Sequence, residues 1–189
     1  MEVLQTSALP LGYVATRLFG VSSLPLALHL PGMSNKAFLD VMARVPAGVV
    51  LVSTLDGEDF KGITASSLVS ISLEPPMVLV GLEKKSATRV AILETKAFNV
   101  SVLGRSQEFV ADRFAGRAPT VDPRWATLPH RLGRYGIPLL EGAAAWLECR
   151  LSATHRAGDH DIFVGEVEAA ELGSGDPLIL WDRTFWTLH

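Results

Sequence analysis

Hydroxyl side chains cluster in one short stretch of the chain. Thr64, Ala65, Ser66 and Ser67 stand together at the end of a predicted strand, with more serines shortly after them. Small side chains let a ligand approach the backbone, and hydroxyls with exposed N–H groups can bind phosphate oxygens or the polar edge of a heteroaromatic ring. An ordinary strand end followed by a turn would use the same residue types. The cluster is therefore one candidate binding element among several.

A second segment, residues 83–89, has the properties of an anion site. Its serine, Ser86, can cap a helix whose N-terminus offers free N–H groups and the positive end of the helix dipole. Lys84, Lys85 and Arg89 add positive charge nearby. A capped surface helix preceded by solvated lysines accounts for the same pattern, so this segment alone does not decide the function.

The third candidate is a turn, Gly158-Asp159-His160, that leads into an apolar strand. A histidine there can donate or accept hydrogen bonds near neutral pH, or stack on a planar ring, although many turn histidines are only solvated. The other histidines are too dispersed to form a local metal motif, and the single Cys149 excludes both a Cys-built zinc site and an intramolecular disulfide. We expect no metal, and we expect Cys149 to occupy a core position.

Short β-rich runs separated by turn residues dominate the pattern that must position these groups. The predicted strands are 49–54, 60–65, 68–72, 77–82, 98–102, 143–154, 162–172 and 178–188. The predicted helices run from Ser34 to Val45, from Ser86 to Leu93 and from Ser106 to Phe114. Residues 115–137 are predicted to form a long loop anchored by Trp125.

Many short strands with few helices and no βαβ rhythm predict a mainly β fold. A closed or nearly closed antiparallel barrel removes the exposed edges of so many strands, and a β-sandwich is the structural alternative. The chain of 189 residues, 48% hydrophobic and 20% charged, is the right size for one domain with its own core.

The charge balance limits the possible partners. A net charge of −3 leaves no footprint for nucleic acid at the level of the whole chain, and no stretch of 18 apolar residues predicts a membrane span. The dinucleotide, P-loop, nucleophile-elbow and zinc-protease motifs are all absent. We predict a cytoplasmic protein.

Residues 1–33 are unusually apolar for a chain terminus, with eight leucines and only Glu2 and Arg17 as charged residues. Interruptions by proline, glycine and Arg17 argue against a secretory signal. We expect this extension to pack on the domain of residues 34–189 or on a dimer partner. Initiation of translation at Met33 is the rival interpretation.

The order of several separated motifs resembles that of the short-chain flavin reductase family, which supplies the reductase components of two-component monooxygenases and halogenases. The resemblance is carried by residues 38–49 (FLDVMARVPAGV), 62–67 (GITASS), 72–80 (SLEPPMVLV), 85–88 (KSAT), 98–103 (FNVSVL) and 158–160 (GDH). It implies an FMN-binding split β-barrel, antiparallel and Greek-key-like with a few short helices, that forms a homodimer. It also implies that NADH or NADPH reduces FMN or FAD and that the reduced flavin passes to a separate monooxygenase or halogenase.

The resemblance also implies roles for individual residues. Pro46, Ala47, Gly48 and Val49 would lie along the isoalloxazine ring, and Thr64, Ala65, Ser66 and Ser67 would contact its polar edge and the ribityl chain. Lys85, Ser86, Thr88 and Arg89 would hold the phosphate. His160 would place the nicotinamide over the flavin, and Arg183 is a further candidate for that pocket. No catalytic acid or nucleophile is required, because the hydride transfer is the flavin's own chemistry.

Two positions depart from the family pattern. Ala47 stands where threonine is common and Ser66 where asparagine is common, so two polar contacts to the ring are either weakened or replaced by backbone groups, and the choice between FMN and FAD stays open. Trp181 and Trp186 could stack on an adenine or pack at the barrel rim. Two other functions stay open: a split barrel that holds FMN and acts on another small molecule, and a non-enzymatic barrel that binds flavin or haem.

Overall fold

The computed structural model describes residues 34–116 and 125–188, so predictions about residues 1–33 lie outside the described part of the chain. Twelve strands are assigned in these ranges: β1 (Ala47–Gly48), β2 (Val50–Asp56), β3 (Asp59–Ala65), β4 (Val69–Leu73), β5 (Pro76–Glu83), β6 (Ala97–Val102), β7 (His130–Leu132), β8 (Pro138–Leu140), β9 (Ala145–Ala157), β10 (His160–Leu172), β11 (Leu178–Trp181) and β12 (Thr184–Thr187). The α-helices are α1 (Asn35–Met42), α2 (Ala87–Thr95) and α3 (Glu108–Phe114). The predicted mainly β architecture is confirmed.

Seven strands form the main sheet, in the spatial order β3-β2-β6-β9-β10-β5-β4. A second sheet has the order β1-β11-β12, and β7 pairs with β8. Every strand pairing among the described residues is antiparallel. The predicted antiparallel character is therefore correct. Within the described ranges, no helix has both the length and the apolar character needed to cross a membrane.

Strand β2 lies between two hydrophobic cores. Val50 and Val52 point into one core, which Phe98, Ile92 and Phe163 help to form. Leu51 points to the opposite face, into a second core. Because side chains alternate across a strand, a strand covered on both faces reads as a continuous apolar run, which is the pattern of 49–52.

The second core contains Trp125, with 3% of its surface exposed, together with Val110 and Phe114 of α3. The prediction that Trp125 is an apolar anchor is thus confirmed. Cys149 lies in the first core, beside Phe98 and Phe163, and is 1% exposed, so its predicted core position is confirmed.

Two element predictions are wrong in part. In the described part of the predicted loop 115–137, residues 130–132 form strand β7, which pairs with β8 and brings Arg131 opposite Leu139; residues 117–124 lie outside the described ranges. The predicted single strand 178–188 is a hairpin, in which Asp182 and Arg183 form the turn with φ values of 49° and 64°. Asp182 is a residue type that tolerates positive φ, but Arg183 is not and the usual glycine is missing, so the sequence carries only a weak signal for this turn.

Helix α1 follows Ser34 as predicted, yet none of its residues is buried. Its apolar side chains and that of Val45, just beyond it, are about half exposed or more: Phe38, Leu39, Val41, Met42 and Val45. Polar contacts hold the helix to the β11–β12 turn instead, because Asp40 accepts a hydrogen bond from Arg183 and the carbonyl of Ala43 accepts one from the Asp182 N–H.

Candidate functional site

A cavity of about 320 Å³ opens where β3 leaves the main sheet. Its wall consists of residues 63–67 from β3 and the turn after it, residues 81–83 from β5, Phe114 and Ala115 at the end of α3, and His160 at the start of β10. This volume is in the range of small-molecule sites. The cavity brings the hydroxyl cluster and the histidine turn to one place, although they are almost 100 residues apart in sequence.

Two of the clustered hydroxyls have structural partners. Thr64 donates its hydroxyl proton to the carbonyl of Ala111 at 2.8 Å, which fixes α3 beside the end of β3. Ser67 accepts a hydrogen bond from the Gly81 N–H at 2.9 Å and lies 3.1 Å from the Gly81 carbonyl. The first bond joins β3 to α3, and the second joins the turn after β3 to β5. Because Thr64 already donates its hydroxyl proton, it can only accept a hydrogen bond from a ligand.

Ser66 differs from its neighbours. It is exposed, lies in the cavity wall, and makes no side-chain hydrogen bond to any residue within the described ranges. Its hydroxyl can therefore donate and accept toward a ligand.

The aromatic wall of the cavity depends on one glycine. A Cβ atom built on Gly62 would lie 2.8 Å from Cε1 of Phe114, closer than real Cβ contacts come. Phe114 in turn packs against Trp125, with ring centroids 5.5 Å apart. Sequence reasoning missed Phe114 as a site residue; its only signal was an aromatic residue at the end of a predicted helix before a glycine- and proline-rich segment.

His160 faces the cavity with its orientation partly fixed. Its Nδ1 lies 2.8 Å from Oδ1 of Asp159, and this hydrogen bond is the main cause that lowers the pKa of Asp159 below its ordinary value of 3.8. In register, His160 is opposite Glu83 of β5, a second cavity residue. With Nδ1 engaged, Nε2 is the ring nitrogen left for a ligand.

The phosphate segment, which we define as residues 84–89, directly follows Glu83. Ser86 caps α2, since its Oγ accepts a hydrogen bond from the Arg89 N–H at 3.4 Å. Lys85 is exposed, and Thr88 is buried with 4% of its surface accessible. None of the predicted phosphate residues Lys85, Ser86, Thr88 and Arg89 lines the cavity itself. They lie at the N-terminus of the helix that the cavity strand β5 leads into.

Arg89 already has a partner. Its guanidinium donates from Nε at 2.8 Å and from Nη2 at 2.6 Å to the same carboxylate oxygen, Oδ2 of Asp161. Sequence reasoning missed Asp161, because only the fold brings this aspartate of an apolar strand against the helix that carries Arg89.

The remaining predicted residues lie elsewhere in the fold. Ala47 and Gly48 form β1 and pair with Leu180 and Ile179 of β11, and Val49 is buried with 2% exposure. Pro46 precedes them and is exposed. Arg183 binds Asp40 of α1. Neither residues 46–49 nor Arg183 lines the cavity, so their assignment to a flavin site stays a prediction.

The donor set of the cavity fits an aromatic ring with a polar edge. Phe114 and the aliphatic part of the wall supply apolar surface, and Ser66, the backbone of residues 65–67 and His160 supply hydrogen-bonding groups. The described residues contain no group of three or more His, Cys, Asp or Glu side chains that could hold a metal ion.

Comparison with known proteins gives a consistent result. Residues 42–189 match the family model described as the flavin reductase like domain. An NADH-dependent flavin reductase of a Rhodococcus species is 37% identical over 151 residues, which are 78% of this chain and 83% of that protein. The reductase component of 4-hydroxyphenylacetate 3-monooxygenase from Thermus thermophilus is 37% identical over 156 residues, which are 80% of this chain and 95% of that protein.

Solved structures agree with the sequence comparison. The chain resembles BorF, the flavin reductase component of a bacterial two-component tryptophan halogenase, with a TM-score of 0.73 and 35% identity over 82% of this chain and 98% of that one. The predicted resemblance and the split-barrel fold are thereby confirmed.

Proposed function

The chain belongs to the flavin reductase-like family, and on that premise we propose that it uses NADH to reduce FMN or FAD and then releases the reduced flavin. The observation that carries the proposal is that Ser66 and His160 line the same cavity. The resemblance assigns Ser66 to the flavin ring and His160 to the nicotinamide, so a shared cavity is what hydride transfer between the two rings requires. Relatives named for FMN and for FAD both occur in the family, and the donor in their names is NADH.

The chain's own part in the reaction is binding and orientation. Ser66 and the backbone beside it would hold the polar edge of the flavin ring, and Phe114 would contact its apolar surface. Lys85, Ser86 and Thr88 would hold the phosphate at the N-terminus of α2, where N–H groups and the helix dipole favour an anion. The flavin, when bound, supplies the chemistry by accepting a hydride from NADH.

His160 would contact the nicotinamide through Nε2. Its Nδ1 is engaged by Asp159, so Nε2 is the ring nitrogen left for the nicotinamide. Correct placement of two reactants can lower a barrier by about 7–11 kcal/mol without any acid or base.

A direct assay tests the function. The purified protein is mixed with NADH, and the loss of NADH absorbance is followed with and without added FMN or FAD. We expect oxidation that depends on the added flavin and saturates with it. Failure to oxidise NADH with either flavin would contradict the proposal. If NADH is consumed only when flavin stays bound and a further substrate is added, the protein is instead a split barrel that holds FMN and acts on another small molecule.

Transfer of flavin to a separate monooxygenase or halogenase is part of the same proposal, supported by the relatives that are reductase components. It requires that reduced flavin leaves the protein. Anaerobic ultrafiltration after reduction by NADH should recover the reduced flavin in the filtrate. Retention of most of it with the protein would contradict release.

We also propose a homodimer in the cytoplasm. The large apolar side chains of α1 and of Val45 are about half exposed or more, and exposed apolar side chains on one short segment commonly mark an interface. Analytical ultracentrifugation should give twice the chain mass, and Val41→Lys should shift the protein toward the monomer. A wild-type monomer at micromolar concentration would contradict this proposal.

A further inference from the structure

Hydrogen bonds from Lys84 join the phosphate segment to the histidine turn, which we define as residues 158–160. The N–H of Lys84 donates to the carbonyl of Asp159 at 3.0 Å. The ammonium group of Lys84 donates to the carbonyl of Gly158. Together with the pairing of Glu83 and His160, these bonds place the two segments side by side at one end of β5 and β10.

A buried ion pair forms a further link between them. Asp161 is 2% exposed, and its Oδ2 receives both hydrogen bonds from Arg89, whose side chain is 26% exposed. The other oxygen, Oδ1, is buried and has no partner among the residues that the structure describes. Because a buried carboxylate is costly without a cation, Arg89 is the group that makes this position of Asp161 stable.

Each member of the pair is adjacent to a proposed ligand contact. The backbone N–H of Arg89 donates to Ser86, the cap of α2. Asp161 directly follows His160, and because neighbouring strand residues point to opposite faces, Asp161 reaches α2 while His160 reaches the cavity. The Arg89–Asp161 pair thus connects the N-terminus of α2 to the first residues of β10.

We propose that Arg89 and Asp161 are positioning residues that couple the binding of a flavin phosphate at α2 to the binding of the nicotinamide at His160. The inference rests on the proposed function, because it takes these two ligands from it. A phosphate that orders α2 would also order His160, so the binding of one ligand raises the affinity for the other, by the same factor in both directions. Riboflavin has no phosphate and would not gain this increase.

Equilibrium binding tests the coupling without turnover. The dissociation constants of FMN and of riboflavin are measured by flavin fluorescence, with and without saturating NAD⁺, which cannot reduce the flavin. In the wild type we expect NAD⁺ to lower the dissociation constant of FMN about fivefold more than that of riboflavin, at the low end of known coupling effects. In Asp161→Asn and Arg89→Met this excess should fall to about onefold, following the same linkage.

Matched variants make the result specific. Arg89→Lys keeps the charge but not the paired donors, so it should restore part of the excess. Asp176→Asn removes one partner of an exposed arginine–aspartate pair, Arg105 and Asp176, whose closest atoms are 3.6 Å apart, and it should leave the excess unchanged. Circular dichroism checks that each variant folds. If a single variant does not fold, the double variant Arg89→Met/Asp161→Leu takes its place, because it removes both charges and leaves neither unpaired.

Equal effects of NAD⁺ on FMN and riboflavin in the wild type would overturn the coupling, and so would an undiminished excess in the folded Asp161 and Arg89 variants. These outcomes are separate from the function itself. If the wild type does not oxidise NADH, the proposed reductase activity is contradicted. The coupling is measured separately, with NAD⁺ and without any reaction.

Discussion

Gly62 lies so close to Phe114 that the ring occupies the space where a side chain at residue 62 would begin. The glycine therefore sets the position of the aromatic wall of the cavity. Thr64, two residues later on the same strand, holds α3 through the carbonyl of Ala111, so both contacts place the end of α3 beside β3.

Gly62→Ala should displace Phe114 and weaken flavin binding. Overpacking of this kind costs about 1–3 kcal/mol of the free energy of unfolding. Thermal unfolding and the dissociation constant of FMN measure the two effects. Adding Phe114→Leu to Gly62→Ala should recover much of the stability, because it removes the clashing ring atoms. If Gly62→Ala alone binds FMN as tightly as the wild type, Phe114 is not part of the flavin site.

His160→Ala should raise the KM for NADH by about tenfold, which corresponds to the loss of about one hydrogen bond, and should change the KM for flavin less. His155→Ala is the matched control, because His155 is exposed on the neighbouring strand β9 and does not line the cavity. Steady-state kinetics at fixed saturating flavin give the values. An unchanged KM for NADH would remove His160 from the nicotinamide site.

Ser86→Ala, alone and with Thr88→Ala, should weaken FMN binding more than riboflavin binding, since only FMN has a phosphate. Loss of the α2 cap also lowers the free energy of unfolding by about 1 kcal/mol. Comparing the two flavins on the same variant separates this general loss from the lost phosphate contact. If both flavins lose affinity equally, the phosphate does not bind at α2.

Because of the buried Cys149, we predict that the free energy of unfolding falls at alkaline pH. Burial raises the pKa of its thiol from 9.0 to about 12, so the thiol stays protonated in the folded chain and ionises first in the unfolded chain. Its contribution to the free energy of unfolding is complete below pH 9 and is lost as the pH rises toward 12. Urea unfolding across this range should show a steeper decline for the wild type than for Cys149→Ala.

The same burial protects the thiol from reagents. Iodoacetamide at pH 8 should alkylate the native protein very slowly and the urea-unfolded protein rapidly, as mass spectrometry would detect, because the thiolate is the reactive form. Rapid alkylation of the native chain would contradict both the burial and the raised pKa.

Local pattern was enough to predict most strands and the two main components of the cavity. Ser66 and His160 were each predicted from short motifs, because small hydroxyl residues and a glycine turn leave local signals. The hairpin at Asp182 and Arg183 left only a weak signal. Both residues have positive φ and are bound by distant residues: Nη1 of Arg44 lies 3.4 Å from Oδ2 of Asp182, and Asp40 of α1 binds Arg183.

The role of Arg89 could not be predicted from its own neighbourhood either. Its sequence context places it beside a phosphate-type cap, and only the fold brings it against Asp161, which is 72 residues away. Similarly, Phe114 joins the cavity because a distant strand binds the helix that carries it. Contacts made across the sheet decide both positions.

Strand β2, which supplies Val50 and Val52 to one core and Leu51 to the other, makes the two cores parts of one cooperative unit. Neither core can open fully without pulling this strand away from the other. The amides of β2 should therefore exchange with deuterium only through global unfolding, at the slowest rate in the domain, and a ligand that binds only the cavity side should slow exchange on both faces of the sheet.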